Sequence, residues 1–282
     1  MIFKLAVRLF GGIAEYYLEY FEGVKTSMHK AGMKTQLHDY VSFIFLATSL
    51  AFIASLIAGA VFFTLLIPSP IFTYTTAIIF SFLVTGAVFA LSYYYPAILA
   101  KNRRAKIDRS LPFAVFYMAT SASSGIEASE IFRLLSMKGG VLGEEASKIY
   151  TDVRALGMNL ATALQKGAHR TPSVLWSELL YGMASVVTTG GSLDKYLESK
   201  TRSFMNQYRR ALEEYSKQIA LYTEIYITLI IVGSLFFLIL IAIVSPIIGG
   251  STLFIQTLLV FFLIPLVSIG FIMLLKGISP KG

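Results

Sequence analysis

Four stretches of this chain hold no Asp, Glu, Lys, Arg or His: residues 41–66, 71–95, 225–248 and 253–275. Each is long enough to cross about 30 Å of hydrocarbon as a helix. They come in pairs. Only Ile67-Pro68-Ser69-Pro70 separates the first two, and only Gly249-Gly250-Ser251-Thr252 the last two, so each pair must turn straight back as a hairpin. The Lys and Arg residues lie in 1–40 (five), 97–224 (seventeen) and after 275 (two), and neither turn carries any. Because positive side chains are retained on the cytoplasmic side, the pattern predicts a multi-pass protein of the cell membrane, plasma or inner. Its N-terminus, central region and C-terminus are then cytoplasmic.

That gives a domain plan. Residues 1–40 form a cytoplasmic or interfacial amphipathic segment, 41–95 a first transmembrane hairpin, 96–224 a helical cytoplasmic domain, 225–275 a second hairpin and 276–282 a tail. With 14% charged residues, against roughly a quarter in ordinary globular chains, a single soluble domain is excluded. The net charge of +8 fits cytoplasmic retention of cations, with no nucleic-acid partner. The absence of cysteine excludes disulfides and thiolate chemistry.

Lys4 and Arg8 interrupt the apolar start of the chain, so it is expected to stay attached rather than be cleaved as a signal. Ile2, Leu5, Leu9, Ile13, Tyr16, Tyr17, Tyr20, Phe21 and Val24 keep a helical spacing. Two readings stand for this stripe, a helix lying in the membrane interface and a helix packed on the cytoplasmic domain.

The central region shows helical periodicity and no persistent strand alternation. Ser110 ahead of Pro112, Asn159, Thr171 ahead of Pro172, and Ser192 read as helix starts. Glycines at 125, 139, 140, 143, 157, 167 and 190 read as helix ends. Six helices are predicted near 110–123, 127–137, 144–156, 160–169, 172–188 and from 192 onward. Gly125, Gly157 and Gly190, taken as structural turns, are each followed at +3 and +7 by Ala128 and Phe132, Leu160 and Leu164, and Leu193 and Leu197. Glycines that end helices and apolar residues that begin the next buried face explain most of this repeat. From Ser192 no Gly or Pro intervenes before Gly233, which predicts one helix running into the third span, with a hinge near Ala220 as the alternative. From 192 to 245 it would measure on the order of 80 Å.

No catalytic constellation is present. His29, His38 and His169 are scattered without ligand spacing, and neither a GxxxxGK[ST] loop nor a GxGxxG occurs. Gly139-Gly140-Val141-Leu142-Gly143 lacks the Lys and preceding strand of a phosphate cradle and reads as a turn. No enzyme activity and no cofactor or metal are expected. Small residues such as Ser55 and Gly59, Ser81 and Thr85, or Gly86 and Ala90 let membrane helices approach closely. The run from Lys101 through Arg109 carries Lys101, Arg103, Arg104, Lys106 and Arg109, which membrane lipid or an acidic partner protein could use. Arg133, Lys138, Arg154, Lys166 and Arg170 are further candidates for such docking.

The arrangement resembles the type II secretion system F domain family, the membrane platform of type IV pili, archaella and tight-adherence secretion machines. The resemblance is carried by Leu111-Pro112-Phe113-Ala114-Val115-Phe116, Ser123-Ser124-Gly125-Ile126-Glu127-Ala128, Leu156 through Leu164, Pro172 and Gly190-Gly191-Ser192-Leu193, and it covers about residues 97–248. It implies an all-α membrane protein, four transmembrane helices in two hairpins flanking a six-helix cytoplasmic bundle. It further implies a platform that couples a hexameric secretion ATPase to insertion of pilin or archaellin subunits into a filament. With one F domain in the chain, a homodimer or a sister F-domain protein is implied. On that reading Lys101, Arg103, Arg104, Lys106 and Arg109 face the ATPase. A transporter or channel subunit with a cytoplasmic regulatory domain, and a membrane sensor, are the competing classes.

Overall fold

The computed structural model describes residues 2–66, 70–248, 257, 261–262 and 264–278, and every regular element among them is helical. In chain order these are α1 (Ile2–Tyr17), a 3-10 turn (Leu18–Phe21), α2 (Glu22–Ala31), α3 (Leu37–Leu66), α4 (Pro70–Ser123), α5 (Ala128–Met137) and α6 (Gly140–Arg154). They continue with α7 (Leu160–Arg170), α8 (Val174–Thr189), α9 (Leu193–Tyr226), a π-helical turn (Ile227–Val232), α10 (Gly233–Ile248) and α11 (Ile264–Ile278). Among the described residues three runs are long and apolar enough to cross a membrane: Leu37–Thr64, Pro70–Ser123 and Leu193–Ile243. The centres of both expected turns, at 67–69 and 249–252, and most of the first half of the expected fourth span lie outside the described residues. The chain divides into two compact units, Met1–Thr201 and Arg202–Gly282.

In the first unit, α3 and α4 pack side by side through small residues. Thr73, Ala77 and Ser81 are buried, and Gly59 sits where an added Cβ would lie 3.6 Å from Ala77 and 3.4 Å from the Phe80 ring. Gly86 and Ala90, by contrast, face outward. Helix α4 then passes through Pro96 without a break. Proline has no N–H, so the carbonyl four residues earlier, that of Ser92, loses its helical donor. The Tyr40 hydroxyl of α3 donates to this carbonyl at 2.7 Å. A side chain from the neighbouring helix thus replaces the missing backbone bond.

Ser110 does not start a helix. It lies within α4, its hydroxyl donating back to the carbonyls of Lys106 and Ile107, both at 3.1 Å. The physical reason is burial: Ile107, Leu111, Val115 and Met118 continue one inward stripe across Pro112, and all four are fully enclosed. This stripe packs with Ile131, Phe132 and Leu135 of α5, Leu142, Ala146 and Ile149 of α6, Leu164 of α7, and Trp176, Leu179, Leu180 and Met183 of α8 as the buried residues of the bundle.

Local signals place the remaining boundaries. Asn159 caps α7, accepting from the Ala161 amide at 2.9 Å. Helix α8 is capped by Ser173, whose Oγ accepts from the Trp176 amide at 3.0 Å, whereas Thr171 ends α7 and accepts from the Ser173 amide. Pro172 therefore sits between the helices rather than at a first helical position. Helix α6 begins at Gly140, four residues before the expected 144.

Gly125, Gly157 and Gly190 adopt φ of 77°, 65° and 70° between successive helices. Helices α5, α7 and α9 each begin three residues after one of them, and Phe132, Leu164 and Leu197 at +7 are fully buried. Gly143 and Gly167 are different. Both lie inside helices, at close approaches rather than ends: a Cβ on Gly143 would meet the Ser136 carbonyl at 3.1 Å, and one on Gly167 would meet Ile149 at 3.0 Å.

In the second unit, α9 continues as α-helix through Ala220 to Tyr226, and the winding then widens to π over Ile227–Val232. The α-helix is thus unbroken at Ala220. The π turn covers Ile227, Thr228, Leu229, Ile230, Ile231 and Val232, near the start of the third apolar stretch. Tyr226 meets α11, its hydroxyl 3.1 Å from that of Ser268 and its ring centroid 4.7 Å from that of Phe271. The last described helix therefore folds back beside the beginning of the third apolar stretch.

Candidate functional site

One face of α4 carries Lys106, Arg109, Ser110, Phe113, Phe116 and Tyr117 at helical spacing. Phe113 and Phe116 are each more than half exposed although they flank the buried stripe of the bundle. Across from them the α5–α6 turn, Lys138 to Gly143, completes a groove of about 730 Å3. Gly139 and Gly140 take φ of 72° and 70° in succession, and the tight approach of Gly143 to Ser136 brings the start of α6 against the end of α5. The Lys138 ammonium lies 4.6 Å from the centre of the Tyr117 ring. The result is an aromatic groove with the cations Lys106 and Lys138 at its edge, suited to a partner segment carrying apolar and acidic side chains.

The five basic residues of the 101–109 run separate. Lys101, Arg104, Lys106 and Arg109 are exposed. Arg104 pairs with Asp108 one turn on, at 3.3 Å. Arg103 points inward, where its Nη2 reaches Glu144 at 3.0 Å and Glu145 at 2.9 Å. Only Lys106 and Arg109 of the five share the face that carries Phe113 and Phe116.

Glu145 is the centre of a buried ionic network. It also accepts from Lys148 at 2.9 Å and lies 3.6 Å from the Arg170 Nε. Arg170 and Lys166 both bind Asp152, at 3.2 and 2.8 Å, so the network ties α4, α6 and α7 together. Burial pushes the Glu145 carboxyl up, but hydrogen bonds and charges from Lys148 and Arg103 outweigh it and hold the group below the ordinary carboxylate range. A second cluster joins α5 to α6: Arg154 reaches Glu127 at 3.2 Å and Glu130 at 3.3 Å, and Glu130 also pairs with Arg133. The Arg133 hydrogen bond lowers the Glu130 pKa. Of Arg133, Lys138, Arg154, Lys166 and Arg170, only Lys138 contributes to the aromatic groove.

The carboxylates that absorb these cations were not singled out by sequence, because Glu145 and Asp152 lie 42 and 18 residues from the arginines they bind. Alternation of signs along α6 was the available signal. Gly182 was also missed: the Tyr196 hydroxyl, which donates to the Leu179 carbonyl, would lie 1.9 Å from a Cβ there. His29 and His169 line one open cleft with Lys25 and Lys30. Among the described residues no group of three His, Cys, Asp or Glu is placed to hold a metal ion.

Residues 114–241 match the family model of the type II secretion system (T2SS), protein F. The chain carries a domain of that family. The matched F domain starts within α4, so the 101–109 cations lie immediately before it. An uncharacterized protein of Methanocaldococcus jannaschii is 26% identical over 196 residues, which cover 66% of this chain and 33% of that protein. Flagella accessory protein J of the same organism is 25% identical over 137 residues, 48% of this chain and 24% of that protein. The alignments thus span a third or less of these relatives' lengths. No solved structure matches.

Proposed function

We propose that this chain is the assembly platform of a type IV pilus-like machine in the cell membrane, with four spans in two hairpins. Its N-terminus, F domain and C-terminus lie on the cytoplasmic side. The observation that carries the reading is the F domain at 114–241 set among helices long and apolar enough to cross a membrane. Similarity to flagella accessory protein J favours an archaellum-type or pilus-type filament over an unrelated transporter. A hexameric secretion ATPase then supplies the energy, pilin or archaellin subunits are the cargo, and a second copy or a sister F-domain protein completes the platform.

The docking face for the ATPase is the groove between α4 and the α5–α6 turn. Lys106 and Lys138 at its edge, with the exposed Arg109 on the same face of α4, attract an acidic surface there, and Phe113 and Phe116 give it apolar contact. Arg103 serves the fold instead. The test is binding of the purified cognate ATPase to membranes containing the platform. Lys106→Glu with Arg109→Glu, and separately Phe116→Ala, should abolish or strongly weaken binding while membrane insertion is retained. Unchanged binding in both variants would sink the assignment of this face.

A further inference from the structure

Helix α1 inverts the usual arrangement of a surface helix. Ala6, Gly11 and Ala14 are buried, with Gly11 against α3, where its carbonyl is 3.2 Å from the His38 Nε2. The large apolar residues Leu5, Leu9, Ile13, Tyr16 and Tyr20 point away from the protein, between 48% and 79% exposed. Arg8, Glu15 and Glu19 occupy a third face, also exposed. A helix that hides its small residues and displays a row of large apolar ones, apart from its charges, has a second apolar medium beside it.

Ring contacts give the depth of this medium. The chain rises along α1, turns at Leu18–Phe21 and returns in α2, so residues 16–21 form the tip of a helical hairpin. At that tip the Tyr17 and Phe21 rings lie 6.1 and 6.4 Å from Phe45, and Phe21 lies 6.5 Å from Phe89 and 5.7 Å from Tyr93. Phe45 is four residues inside the charge-free stretch that begins at Val41, and Phe89 six residues inside the one that ends at Tyr95. At 1.5 Å per residue the tip therefore sits roughly 6–9 Å within the apolar slab. That is the depth at which amphipathic helices embed and Tyr concentrates. The far end of α2 belongs to the polar side: Gly32 lies under the Arg103 guanidinium, which an added Cβ would approach to 3.0 Å.

We infer that the N-terminal helical hairpin is a lipid-embedded wedge. Its small-residue face is seated on α3, and its Leu5–Leu9–Ile13–Tyr16–Tyr20 face is covered by the headgroup–acyl boundary of the bilayer. The occupant is lipid rather than protein because the tip of the hairpin lies at the depth of Phe45 and Phe89, beside α3, whose Leu50, Ile53 and Ile57 are likewise exposed. The inference rests on α3 and α4 being membrane spans and is independent of the ATPase assignment.

The chain has no cysteine, so single cysteines can be introduced one at a time and spin-labelled. In proteoliposomes of phosphatidylcholine and phosphatidylglycerol, labels at Leu9→Cys, Ile13→Cys, Tyr16→Cys and Tyr20→Cys should collide with oxygen several-fold more readily than with a water-soluble nickel chelate. Labels at Arg8→Cys and Glu15→Cys, below the tip, should show the reverse. Ile53→Cys, in the middle of α3, reports separately on the span. If it behaves as lipid-exposed while the α1 positions follow the nickel chelate, the wedge is overturned and the span stands. Low access to both reagents at Leu9, Ile13 and Tyr16 would overturn it in favour of a protein partner or a second copy. An aqueous signal at Ile53 would overturn the membrane reading itself.

Discussion

The two halves of α4 share one backbone and obey opposite rules. Between residues 70 and 95 the helix buries Thr73, Ala77 and Ser81 and turns Ile71, Phe72 and Leu83 outward. Between residues 100 and 121 it buries Ile107, Leu111, Val115 and Met118 and turns Lys101, Arg104, Lys106 and Arg109 outward. In hydrocarbon nothing is gained by hiding large apolar side chains, so close packing of small ones decides which face meets the neighbour. In water the hydrophobic effect decides, at roughly 25 cal/mol per Å2 of apolar surface removed. The crossover falls at Pro96, close to the Tyr40–Ser92 hydrogen bond. On the proposed topology one helix serves two media, its inward face changing character between them.

Matched substitutions would break or sharpen this contrast. Leu111→Ala removes a fully enclosed side chain from the bundle and should cost about 3 kcal/mol. Leu83→Ala, outward in the apolar half, should stay within about 0.5 kcal/mol. Thermal unfolding of the whole chain in detergent measures both, and equal losses would erase the distinction between the halves.

The ionic core should respond nearly as strongly. Glu145→Ala leaves Arg103, Lys148 and Arg170 short of a buried counter-charge, at a cost of about 3 kcal/mol. Its folded pKa lies below its unfolded one, so its contribution is complete above the ordinary carboxylate range. It is lost as pH falls through the lowered value. An acid titration of stability should therefore lose part of its slope in Glu145→Gln, and an unaltered titration would remove Glu145 from this role.

At the crossover itself, Tyr40→Phe should cost about 1 kcal/mol by leaving the Ser92 carbonyl without a donor. In a Pro96→Ala background a backbone N–H returns at position 96, and the same change should then cost much less. A double-mutant cycle by thermal unfolding tests this coupling. The smallest effect belongs to the outward cations: Lys106→Glu with Arg109→Glu should shift stability by no more than about 0.5 kcal/mol. Arg103→Glu, placed against Glu144 and Glu145, should destabilise clearly more.

Much of the fold was legible because its signals are local. Gly125, Gly157 and Gly190 each precede a helix by three residues, and Asn159 caps the helix it was expected to cap. The errors arose where a local signal met a larger tertiary one. Ser110 and Pro112 look like a helix start, but the enclosed stripe from Ile107 to Met118 carries α4 straight through them. Gly143 and Gly167 look like stops, but neighbouring atoms at about 3 Å require their lack of a side chain within helices. The candidate face was legible only in part, since the 101–109 run gave its cations but neither their directions nor the groove formed with the α5–α6 turn.

By itself the sequence determined the helical character and the apolar stretches, because helix caps, the charge content of a window and its length against the bilayer are properties of neighbouring residues. Only the tertiary structure decided which charges are free for a partner. Arg103 and Lys106 lie three residues apart on one helix, yet one is held inside by Glu145, 42 residues away, and the other lines an open groove. A charge is withdrawn from the surface by what folds against it, and that depends on the approach of distant helices rather than on the run in which it is written.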